Sequence, residues 1–76
     1  MTLTEIIRAD ALYLTNVRVE CDSRYSTVEI GDDIFLQGQE ADEFNDKVER
    51  LWNLTGDTTK DECAKHLAKP YVDCLS

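Results

Sequence analysis

Cys63 and His66 stand three residues apart in a stretch with helical periodicity, so a thiol and an imidazole share one side of a helix. Adding Cys21 and Cys74 gives a Cys₃His set, the ligand complement of a tetrahedral zinc site. Structural zinc sites usually draw their ligands from two tight pairs, and here one pair alone is close in sequence. Buried, reduced, apolar cysteines are therefore the expected state. As a nucleophile and base the same pair lacks a third residue to orient the imidazole and a loop to hold an oxyanion. His66 is the chain's single histidine, which removes most general acid–base schemes, and it is expected at the surface or the core boundary. Asp57-Thr58-Thr59-Lys60-Asp61 opens like a calcium loop, but the sixth place has no Gly and the twelfth is Ala68 where a bidentate Glu is needed. No glycine-rich phosphate loop and no Ser/His/Asp set exists either. The expectation is a protein that is not an enzyme and holds no metal or cofactor.

What stands out instead is charge. Sixteen acids against eight bases in 76 residues give a net charge of −8. Affinity for phosphate backbones comes from Lys and Arg releasing counterions, so the charge argues strongly against direct binding to DNA or RNA, and anionic membrane surfaces are disfavoured for the same reason. Between Arg24 and Lys47 no basic residue occurs, while Glu29, Asp32, Asp33, Glu40, Asp42, Glu43 and Asp46 do. Part of this is local helix chemistry. Acids at a helix N-terminus complement its dipole, and Glu43 with Lys47 and Asp46 with Arg50 have the favoured i,i+4 order. Glu29, Asp32, Asp33, Glu40 and Asp42 have no local cation beyond Arg18, and such a field attracts a basic partner. Phe35, an aromatic on a strand face otherwise lined by polar residues, would anchor it.

The elements that must position these residues follow from periodicity. Apolar Tyr13, Val17, Val19 and Cys21 alternate with polar residues, predicting strand one from Tyr13 to Cys21. Asp22-Ser23-Arg24-Tyr25 predicts a turn, and strand two carries Val28 and Ile30. Gly31-Asp32-Asp33 is a short loop ahead of strand three, Ile34 to Gln37. Pairing Ile30 with Ile34 sets Val28 against Leu36. A four-residue first loop pairs Cys21 with Ser26, Val19 with Val28 and Val17 with Ile30, leaving Arg18 opposite Glu29 on the other face. Ala41, Phe44, Val48, Leu51 and Trp52 form a helical stripe that Gly56 ends, so a helix is predicted over about 39–54. Thr59-Lys60-Asp61-Glu62 has the form of a capping box and opens a second helix over about 59–75, with a stop or kink at Pro70. Its stripe is Cys63, Leu67, Tyr71, Cys74 and Leu75. At the start, Thr2-Leu3-Thr4-Glu5 also has the form of a capping box, ahead of Ile6 and Ile7, and an additional strand is the alternative.

These elements make one α+β domain over 1–76: a three-stranded antiparallel meander over about 12–37, with two C-terminal helices packed on one face. Phe44, Val48, Leu51 and Leu67 are expected in its core. At this length only about 60% of the unfolded surface can be buried, so stability should be a few kcal/mol. No charged segment followed by an apolar stretch opens the sequence, no run approaches the roughly 20 apolar residues that span a bilayer, and the cysteine count is odd. A cytoplasmic protein, within the host cell if phage-encoded, is expected.

A chain of this size with a strand meander, a helical pair and the uncompensated acids from Glu29 to Asp46 resembles the small acidic accessory proteins of bacteriophages and mobile elements, including anti-CRISPR proteins. That resemblance implies an inhibitor occupying the basic nucleic-acid channel of a host enzyme, as a nucleic-acid mimic. Function is then expected to be non-enzymatic binding of a basic protein surface, such as that of a nucleic-acid-handling complex, through Glu29, Asp32, Asp33, Phe35, Glu40, Asp42 and Glu43. The alternative is a structural or homodimeric module, with Phe35, Leu14, Leu3, Ile6 and Ile7 forming an apolar interface or a second small core.

Overall fold

Thr2 opens the chain's first helix: its hydroxyl accepts the Glu5 N–H at 3.2 Å and donates to the Glu5 carboxylate at 3.1 Å. In the computed structural model, which describes residues 1–74, this helix α1 spans Leu3–Tyr13. It is followed by β1 (Val19–Asp22), β2 (Thr27–Ile30), β3 (Ile34–Gln37), α2 (Gln39–Thr55) and α3 (Lys60–Asp73). The meander and the two C-terminal helices are as the periodicity predicts. Strand one, however, does not begin at Tyr13, which belongs to the last turn of α1. Of the two options at the N-terminus the helix is realised, because its stripe of Ile7 and Ala11, continued by Leu14, has a core to fill.

The sheet is antiparallel in the order β1-β2-β3. Ile30 pairs with Ile34 and Val28 with Leu36, as expected. Across the first hairpin the predicted register is wrong by two: Val19 pairs with Ile30, Cys21 with Val28 and Asp22 with Thr27. Arg18 therefore does not face Glu29. Its carbonyl accepts the Gly31 N–H at 2.7 Å, and Glu20 takes the place opposite Glu29. The loop still has four residues but runs from Ser23 to Ser26. Asp22 Oδ1 accepts the Arg24 N–H at 3.0 Å, and Ser26 closes the loop in the left-handed region at φ 52°.

α2 starts at Gly38 and ends at Gly56, whose N–H still bonds the Trp52 carbonyl and whose left-handed φ of 73° turns the chain out of the helix. α3 has the complete capping box: Thr59 Oγ1 accepts the Glu62 N–H at 3.0 Å and Glu62 Oε1 accepts the Thr59 N–H at 2.8 Å. The helix does not stop at Pro70. Proline there costs one main-chain bond, but Tyr71 beyond it meets Phe44 edge-on at 6.1 Å and Val72 packs on the core, so continuing is worth more than stopping. Cys74, placed on the apolar stripe by its spacing, is exposed; Leu75 lies outside the described residues.

The Cα trace measures 33 × 28 × 16 Å, and 16 Å leaves room for two layers. α2 and α3 cover one face of the sheet, α2 over β2 and β3 and α3 over β1, while α1 packs on α3. Ile7, Leu14, Val28, Ile30, Val48 and Cys63 are the largest fully buried side chains. Ile7 and Leu14 thus belong to the main core and not to a separate one. Leu51 and Leu67, expected inside, are only partly buried at its rim. Asp10 joins α1 to α3 through His66 Nδ1 at 2.6 Å, which places the single histidine at the core boundary. None of the helices is long and apolar enough to cross a membrane, among the described residues.

Candidate protein-binding face

With the helices all on one side, the strand residues of opposite parity face outward. Glu20, Glu29 and Phe35 form one row across the three strands, and Asp22, Thr27 and Gln37 the next. Phe35 is 54% exposed. Two carboxylates directly opposite one another destabilise an antiparallel pair, so the Glu20 and Glu29 pairing opposes folding locally. Glu20 is relieved by Arg18, with Nε and Oε1 3.7 Å apart, whereas Glu29 has no basic partner among the described residues. At the end of this face the β1–β2 loop raises Tyr25, 72% exposed, with the Arg24 guanidinium 5.6 Å from its ring centre and Arg24 Nε 3.6 Å from Asp22 Oδ1. Glu20, Asp22, Tyr25, Thr27, Glu29 and Phe35 line one open groove.

The seven residues singled out in the sequence do not form one surface. Glu29 and Phe35 share the open sheet face. Asp32 and Asp33 are exposed in the β2–β3 loop, at the opposite end of the sheet from Tyr25. Glu40, Asp42 and Glu43 are exposed on the first turns of α2, in the helical layer. Within that layer they separate again. Asp42 joins Asp46 and Glu49 along a cleft with Cys21 and Ser23, beside the β1–β2 loop. Glu40 and Glu43 lie near Tyr71, whose hydroxyl is held above its ordinary pKa by burial first and by those two charges second. Glu43 takes a hydrogen bond from Gln39 Nε2 at 3.3 Å, and Asp46 pairs with Arg50 at 3.0 Å as its spacing predicts.

The sequence reading missed Glu20, Asp22 and Tyr25, which the fold brings beside Glu29 and Phe35. The strand alternation that marked Glu29 as outward also marks Glu20 and Asp22. Counting acids along the chain from Arg24 onward excluded them.

The thiol and imidazole candidates are dispersed. Cys63 is buried with its Sγ 3.2 Å from Thr58 Oγ1, His66 is engaged by Asp10, and Cys21 is half-buried on β1. Burial pushes the Cys21 thiol pKa up, Lys60 opposes this and Asp61 adds to it, so Cys21 is a poor nucleophile at neutral pH. Among the described residues no group of three or more His, Cys, Asp and Glu side chains comes together to hold a metal ion. In comparison with known proteins, no family model, curated protein or solved structure matches this chain.

Proposed function

We propose that this is a non-enzymatic binding protein that occupies a basic surface on a protein partner, of the kind found on nucleic-acid-handling complexes, in the manner of the anti-CRISPR-like inhibitors its size and charge resemble. The observation that carries this reading is the outward row of Glu20, Glu29 and Phe35. The like-charged pair lowers folding stability, and among the described residues Glu29 has no basic partner to relieve it. Against a basic surface the same row is complementary: carboxylates match the partner's charge and Phe35 supplies the apolar contact that is desolvated on docking. The net charge of −8 adds long-range attraction to such a surface and repels phosphates.

The second reading, a homo-oligomeric module, draws on α1, where Leu12 and Tyr13 are 77% and 70% exposed on the side away from Ile7 and Ala11. Ionic strength separates the two, since charge-led association weakens steeply with salt and an apolar interface does not. The test is binding kinetics with the partner recovered on the immobilised protein at low salt. Replacing Asp32 and Asp33 with Lys should slow association, because exposed charges steer the encounter, and Phe35→Ala should hasten dissociation. Kinetics unchanged by both variants and insensitive to salt would overturn the reading.

A further inference from the structure

We infer that the open sheet face recognises an arginine of its partner, with the Glu29 carboxylate and the Phe35 ring taking the guanidinium. This rests on the basic-surface reading above and names the group that reading leaves general. The chain itself displays the chemistry once already. Arg24 lies over the Tyr25 ring, 5.6 Å from its centre, while its Nε approaches Asp22 Oδ1 at 3.6 Å: one ring and one carboxylate together hold one guanidinium. Glu29 and Phe35 repeat that combination on the same face. They are direct cross-strand partners, Phe35 is 54% exposed, and no basic side chain of the described residues pairs with Glu29. Glu20, opposite Glu29 on its other side, adds a second carboxylate to the row.

A guanidinium suits this arrangement better than an ammonium does. It is flat and weakly hydrated, so it can stack on a ring while its in-plane N–H groups reach carboxylates at the side. An ammonium also meets rings in this chain, Lys60 at 6.0 Å from the Trp52 ring centre and Lys69 at 5.3 Å from that of Tyr13, but as a compact, strongly hydrated charge it has no plane to stack on Phe35 and one point of attachment for the acids. Phosphates and carboxylates are repelled. The occupant is therefore an arginine carried on a protein segment, and Arg24 competes with it in cis at the Asp22 and Tyr25 half of the groove.

The experiment uses the full chain, amide NMR spectra and three blocked pentapeptides, in which glycines flank two arginines, two lysines or two citrullines, at low salt. The arginine peptide should bind in the millimolar range, with shifts centred on Glu20, Glu29 and Phe35. The lysine peptide should bind several-fold more weakly and the citrulline peptide not at all. Phe35→Ala should weaken arginine binding several-fold, and Arg24→Ala should strengthen it by freeing the second unit. Both side chains are exposed, so neither change threatens the fold. Equal binding of the arginine and lysine peptides, shifts centred on α2, or no response to the arginine peptide would overturn arginine recognition. The basic-surface reading would survive any of these, because it stands or falls on the partner kinetics.

Discussion

The connection from α2 to α3 and the outer face of the sheet are both polar, and they are built in opposite ways. At the connection the threonine hydroxyls and the capping groups are all partnered. The Thr55 hydroxyl bonds the Leu51 carbonyl at 3.0 Å and the Thr58 hydroxyl, Thr58 meets Cys63, and Thr59 and Glu62 exchange both capping bonds. Thr58 is 5% exposed and still satisfied. On the sheet, Glu29 faces Glu20 on one side and an exposed Phe35 on the other. A sequence shaped only for folding would place a cation or a threonine there. Local choices that agree with the fold mark structure, and a choice that works against it marks a candidate site.

That contrast can be broken most forcefully by exchanging the two phenylalanines for alanine. Phe44 is 4% exposed and meets Tyr71 edge-on, so Phe44→Ala should cost about 3–5 kcal/mol, a large part of the stability of so small a domain. Phe35→Ala, on the open face, should stay within about 0.5 kcal/mol. Urea unfolding of both variants is the measurement. If the two costs were similar, Phe35 would be a structural residue and the binding face would lose its anchor. A smaller effect is expected at the satisfied connection, where Thr59→Ala removes one half of the capping box and should destabilise by about 1 kcal/mol. A loss near zero would mean that packing of α3 against β1 and α2, and not the cap, sets where that helix begins.

How far these regions can be read from sequence differs for a physical reason. Caps and turn glycines act through neighbours in the chain, so Thr59, Glu62 and Gly56 could be placed from spacing alone, as could the stripe of Ala41, Phe44 and Val48. Strand parity was legible too: Val19, Val28, Ile30 and Leu36 are inside as alternation requires. The register of the first hairpin was not, because a slip of two keeps every residue on the same face and changes only which residues meet across the strands. Taking Asp22 to Tyr25 as the four-residue loop leaves Arg18 opposite Glu29, the more comfortable pairing, whereas the chain sets Glu20 there. α1 was ambiguous because Tyr13, beside Val17, Val19 and Cys21, extends an alternating pattern although it ends a helix. The acidic block looked continuous because it is contiguous in sequence. Folding distributes it over the sheet face, the β2–β3 loop and two flanks of α2.

The smallest expected effect is the one that sharpens the comparison most. Glu29→Lys exchanges a repulsive cross-strand pair for an attractive one with Glu20, which Arg18 also approaches at 3.7 Å while making no salt bridge to position 29. Cross-strand ion pairs contribute roughly 0.2–1 kcal/mol, so this variant should be more stable than the natural sequence by an amount in that range. Because the site is open to solvent, the gain should shrink as salt is added. The same substitution should abolish binding of the arginine peptide. A variant that folds better and binds worse identifies a residue kept for recognition at the expense of stability. Urea unfolding at low and high salt, together with the peptide titration, measures both quantities on one preparation. Lower stability in Glu29→Lys would show that Glu29 has a structural role on the sheet, and the argument from the like-charged pair would fall.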